Sequence, residues 1–118
     1  MYIGKADEFG AMGQWPEALA MMNKADSLKP EDYSILHLRG KLKGHSGDHA
    51  GAVEDLDRAI DLCTVEKQRR ILLLSRAGIH KKAGHLDLAC SDWKLAGELG
   101  EFDYKEHCTQ LEQGSGVQ

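Results

Sequence analysis

His37, Lys41 and His45 recur at four-residue intervals, and Lys81 and Lys82 stand side by side further along the chain. On a helix, residues four apart share a face, so the first three would present a row of hydrogen-bond donors. That pattern suits gripping carboxylates, with a lysine flanked by imidazoles making charge-assisted hydrogen bonds to an acidic peptide. The six histidines do not fall at metal-ligand spacings. His37 and His45 would stand about 12 Å apart by helical rise, too far for one ion. Gly47 interrupts the interval between His45 and His49, His80 and His85 bracket another turn, and His107 and Cys108 are adjacent and so point in different directions. No Gly-x-Ser-x-Gly, phosphate-loop or His-Glu-x-x-His pattern is present. The expectation is a protein that is not an enzyme, with no catalytic residues, no metal and no cofactor.

Cys63, Cys90 and Cys108 are odd in number, widely spaced and form no Cys-x-x-Cys pair. They read as small apolar residues of a core in a reducing compartment. The longest dense apolar run, Ile71 to Leu74, is far short of a membrane span, and the first residues do not have a secretory layout. The expected location is cytoplasmic, with no membrane partner. The net charge of −4 is uneven: residues 1–32 carry −3, 33–66 carry −2, 67–100 carry +4 and 101–118 carry −3. The basic cluster Lys67, Arg69, Arg70, Arg76, Lys81 and Lys82 has no interleaved aromatic residue, so no nucleic acid partner is expected. Glu54, Asp55, Asp57 and Asp61 of the preceding segment offer Arg69 and Arg70 an ion-paired, solvated face instead.

The elements that must position these residues repeat. Gly13, Ala18, Met22, Ala25 and Leu28 return 34 residues later as Gly47, Ala52, Leu56, Ala59 and Leu62. They return again 37 residues further on as Gly84, Ala89, Trp93, Ala96 and Leu99. The apolar members fall at helical spacing over 16–28, 49–62 and 86–98, with Pro16 suited to a first turn and Asp48 to an N-cap. Before each glycine lies another apolar stretch, Tyr2–Met12, Ile35–Lys43 or Ile71–Ala83. The unit is therefore helix, glycine turn, helix. The alanines recur where two helices must approach closely, with a large apolar residue after each to interlock with its neighbours.

With its 34-residue period, Arg39-Gly40 and Gly47-Asp48 in the second copy, and Ala…large…Ala in each second helix, the chain resembles the tetratricopeptide repeat family over roughly residues 1–100. Two departures stand out. Three extra residues between Leu62 and Leu73 predict a longer first helix or a looped connector in the third copy. Thr64 stands where the second copy would close with proline. The resemblance implies an all-α, right-handed superhelix of three helix-turn-helix repeats, about 1–32, 33–66 and 70–100, within a domain of residues 1–112. Residues 101–112 are expected to form a capping helix and 113–118 a disordered tail.

The resemblance further implies a protein–protein interaction scaffold whose concave face is lined by the first helix of each repeat. The residues expected to line that groove and bind a protein or acidic peptide are His37, Lys41, His45, Leu74, Lys81 and Lys82. A clamp for chaperone tails is unsupported, since the only asparagine, Asn23, lies on a second helix and the clamp positions hold Asp7, Leu38 and Leu74. The alternative function is self-association, a homodimer formed through exposed Tyr2, Ile3, Phe9 and Met12 of the first repeat.

Overall fold

The structure, a computed structural model, describes residues 2–98 and Cys108, with Tyr2 described in its backbone alone. Over residues 2–98 six helices follow one another: α1 (Tyr2–Ala11), α2 (Trp15–Leu28), α3 (Tyr33–Ser46), α4 (His49–Leu62), α5 (Glu66–Lys82) and α6 (Leu86–Glu98). Among the described residues there is no strand, and no helix is long and apolar enough to cross a membrane. The chain divides into two compact units, Met1–Cys63 with α1 to α4 and Thr64–Gln118 with α5 and α6. The expected capping helix 101–112 and tail 113–118 lie outside the described residues, Cys108 excepted.

The three turns within the helix pairs are built alike. Gly13, Gly47 and Gly84 have φ of 71°, 97° and 86°, a left-handed conformation that only glycine adopts at little cost. Each lets the chain close one helix and open the next. The N–H groups of Gln14, Asp48 and His85 donate back to the carbonyls of Phe9, Lys43 and His80, each at 2.8 Å. The carbonyls of the same three residues accept the first bond of the following helix, from Ala18, Ala52 and Ala89, at 3.0, 3.0 and 3.1 Å. Asp48 also caps α4 with its side chain, accepting from the Gly51 N–H.

Small residues hold the paired helices close. Ala18, Ala52 and Ala89 are 0% exposed. Opposite Ala52 stands Gly40, where an added Cβ would lie 3.2 Å from the Ala52 carbonyl oxygen and 3.2 Å from Leu56 Cγ. The positions equivalent to Gly40 hold Ala6 and Ala77, at 1% and 0% exposure. In the first unit Ala6, Met22, Ala25 and Ile35 form a core cluster joining α1, α2 and α3, and in the second Ala77, Ala89, Trp93 and Cys108 form another.

The three-residue slip resolves as helix rather than loop. α5 has 17 residues against 14 in α3, and the extra turn lies at its start. Leu28, which the periodicity assigns to the apolar stripe, is 72% exposed at the end of α2, beyond the last residue with a helix to pack on.

A buried ion pair also repeats, and the composition of the acidic face hides it. Arg39 makes a two-pronged contact with Asp55, Nε donating to Oδ2 and Nη2 to Oδ1, both at 2.8 Å. Its third nitrogen reaches back to α2, donating to Asp26 at 3.3 Å and Asn23 at 3.2 Å. Lys43 Nζ joins Asp55 at 3.1 Å. In the second unit Arg76 grips Asp92 in the same way, at 2.9 and 2.7 Å, with His80 Nε2 3.8 Å away in the place of Lys43. Asp55 is therefore not part of a solvated acidic face, as its neighbours suggest, but one of two buried carboxylates among the described residues.

Gly78 is exposed within α5 and has open space where a Cβ would go. Gly78→Ala is expected to raise stability by about 0.5–1 kcal/mol through helix propensity. Gly40→Ala gains the same propensity but presses a methyl on the α4 backbone, for a net loss of about 1 kcal/mol. Urea midpoints moving in opposite directions check the pair. Asp55→Asn strands Arg39 and Lys43 beside a neutral amide and is expected to cost about 2–3 kcal/mol, at the lower end for a buried pair because Arg39 keeps some exposure. The same denaturation series measures it.

Candidate functional site

α2 packs against both α1 and α3, and a cavity of about 280 Å³ opens between the two outer helices. Asp7, Gly10 and Ala11 line it from α1, and Leu38, Lys41, Leu42 and His45 from α3. Met22 and Trp15 of α2 complete the lining. Gly10 makes the space: its missing Cβ would sit 3.2 Å from Leu42 Cδ2 and 3.6 Å from the Trp15 ring. Trp15 and His45 stack at the rim, ring centroids 5.7 Å apart and planes 16° from parallel. The cavity is apolar within and edged by one carboxylate, one ammonium and one imidazole.

The electrostatics of α3 follow from which face each residue occupies. Arg39 and Lys43 turn toward the carboxylates of α2 and α4. The hydrogen bonds to Asp55 raise the Arg39 pKa further above its ordinary value, so it is a fixed cation. Lys41 points the other way, is exposed, and forms no ion pair among the described residues. His37, one turn before Lys41, is half-buried. Burial first, and the Lys41 charge second, lower its pKa below the ordinary 6.5.

Of the six residues expected to bind a partner, Lys41 and His45 line the cavity while His37 lies a turn away on the same helix. Leu74, Lys81 and Lys82 belong to the second unit. Leu74 is half-buried against the Ala77, Ala89, Trp93 and Cys108 cluster, and Lys81 and Lys82 are exposed in the last turn of α5, where cations suit the helix dipole. Sequence reasoning missed Gly10 and Trp15 as lining residues. The glycine offers no recurrent signal, since its counterpart 34 residues on is Gly44 but 37 further is Lys81. Of the residues considered for self-association, Ile3 and Met12 are 37% and 63% exposed and Phe9 is half-buried, while the Tyr2 side chain lies outside what the structure describes.

No family model matches the chain. Tetratricopeptide repeat protein 36 of Danio rerio is 35% identical over 89 residues, which take in 75% of this chain and 48% of that protein. The chain belongs to the tetratricopeptide repeat family. It spans about half the length of this relative. Among solved structures, the Yersinia enterocolitica type III secretion translocator chaperone SycD aligns with a TM-score of 0.71 over 98% of this chain and 79% of its own, at 17% identity. At that identity the likeness is one of fold. It agrees with an all-α chain of helix-turn-helix repeats, and with the period of the tetratricopeptide repeat read from the glycines and alanines.

Because the His37 pKa is lowered in the fold, the unfolded chain binds more protons as pH drops. Its neutral form supports the fold fully above about pH 6.5, and this support is lost as pH falls through 6.5 toward the lowered value. The expected outcome is a decline in denaturation midpoint between about pH 7 and pH 5 that is shallower in His37→Gln.

Proposed function

We propose that the cleft between α1 and α3 binds a peptide segment of a protein partner, an apolar side chain entering the cavity and a neighbouring carboxylate meeting Lys41. The observation that carries this reading is the juxtaposition of an apolar cavity with an exposed, un-neutralised lysine at its edge. Size argues for a side chain rather than a metabolite: about 280 Å³ lies at or below the lower limit for small-molecule sites, roughly 300 Å³. The stacked Trp15–His45 pair supplies a flat rim that an aromatic or aliphatic residue can cover. Membership of the tetratricopeptide repeat family, and the fold shared with a protein described as a chaperone, favour a binding scaffold over an enzyme. His37 keeps its place in this reading as the neutral neighbour of Lys41. Leu74, Lys81 and Lys82 are proposed as a separate contact region on α5, with the two lysines extending the preference for acidic segments.

Two variants test the cleft from different sides. Gly10→Leu fills the cavity without altering charge, and Lys41→Glu reverses charge without altering the cavity. Against an array of short acidic peptides carrying one large apolar residue, binding read by Trp15 emission is expected to weaken at least tenfold in each, equivalent to about 1.4 kcal/mol. Equal binding by the wild type and both variants would overturn the reading.

A further inference from the structure

Cys90 and Cys108 are joined as a disulfide, their Cα atoms 5.4 Å apart across 18 positions of sequence. The expectation that all three cysteines serve as buried apolar residues is therefore corrected for two of them, while Cys63 keeps its thiol in the first unit, 1% exposed. The separation suits a bond without backbone movement. Its two ends differ. Cys108 is 2% exposed and sits in the cluster with Ala77, Ala89 and Trp93, with Leu74 and Leu86 packed around it. Cys90 is half-buried on α6. Thiol–disulfide exchange begins by attack on one of the two sulfurs, and Cys90 is the less buried end of the bond, whose attack frees Cys108.

We propose that Cys90 and Cys108 form a reversible latch, which when oxidised seats Cys108 over Trp93 and when reduced releases it, uncovering that apolar face of α5 and α6. The reagent is a low-molecular-weight thiol and its disulfide. In opening, a thiolate attacks the Cys90 sulfur and bonds to it, and Cys108 leaves as a thiolate that takes up a proton. A second thiolate then displaces Cys90 from the mixed disulfide. Two electrons pass to the protein and two small thiols become one small disulfide; closing reverses each step. In reducing compartments such bonds are transient and sensing rather than permanent, so the device has a use in just the setting where a static disulfide would not survive.

Trp93 is one of only two tryptophans, the other being Trp15 in the first unit, so the Trp15→Phe chain reports on the latch alone. After equilibration with oxidised glutathione, its intact mass is expected to be two hydrogens below the reduced value, with Cys90 and Cys108 protected from a thiol-alkylating reagent. Reduced glutathione should make both reactive and shift Trp93 emission to longer wavelength, with far-ultraviolet circular dichroism unchanged, and oxidised glutathione should reverse the shift. The melting temperature should fall by roughly 10 °C on reduction. Cys108→Ser should show the long-wavelength emission in both buffers, and Cys63→Ser should behave as its parent. Alkylation of Cys90 and Cys108 in oxidised glutathione, or a bond that opens with no change in Trp93 emission, would overturn the proposal.

Discussion

Paired helices in this protein meet where side chains shrink to a methyl or a hydrogen, and the rest of the architecture depends on that approach. At Gly40 even a Cβ would press within 3.2 Å of the α4 backbone. Ala18, Ala52 and Ala89 are wholly buried at the same place in each second helix. Close axes allow large neighbours such as Met22, Leu56 and Trp93 to interlock rather than hold the helices apart. The left-handed glycine turns make the approach possible, because each reverses the chain with one residue shared between the helix that ends and the helix that begins.

The close approach also decides where polar groups go. Asp55 and Asp92 lie beside the tight contacts, where an unpaired carboxylate would be costly, and each is matched by an arginine in two-pronged geometry. Arg39 does more than balance Asp55, since its remaining nitrogen ties α3 back to Asp26 on α2. These pairs consume the charges on one side of α3. The opposite side is left with Lys41 and His45, which take part in no such pairing among the described residues and stand at the edge of the cavity. The candidate site is thus the face that the packing of α3 does not use.

Much of this was legible in the residues. The glycine and alanine echoes located the three turns within the helix pairs and the buried alanines of the second helices, because backbone sign and side-chain volume are local properties that recur with the repeat. The three-residue slip was legible as an irregularity but not as a longer α5, since a helical turn and a loop of that length differ only in what they pack on. The Arg39–Asp55 pair had a readable signal, its return as Arg76 and Asp92 at the same 37-residue offset. The surrounding acidic residues concealed it, because composition treats Asp55 and the exposed Asp57 alike. Leu28 failed for the converse reason: helical periodicity marks a face, not where a neighbouring helix stops covering it.

By itself the sequence determined the kind of architecture, its period, the position of its turns and the small residues at its helix contacts. All of these follow from interactions within a few turns of chain, repeated. Only the tertiary structure decided that Gly10 opens a cavity beside Trp15 and that Cys90 meets Cys108. Each depends on residues from different helices arriving within a few ångströms of one another. Spacing along the chain does not carry that distance when the residues involved do not themselves repeat.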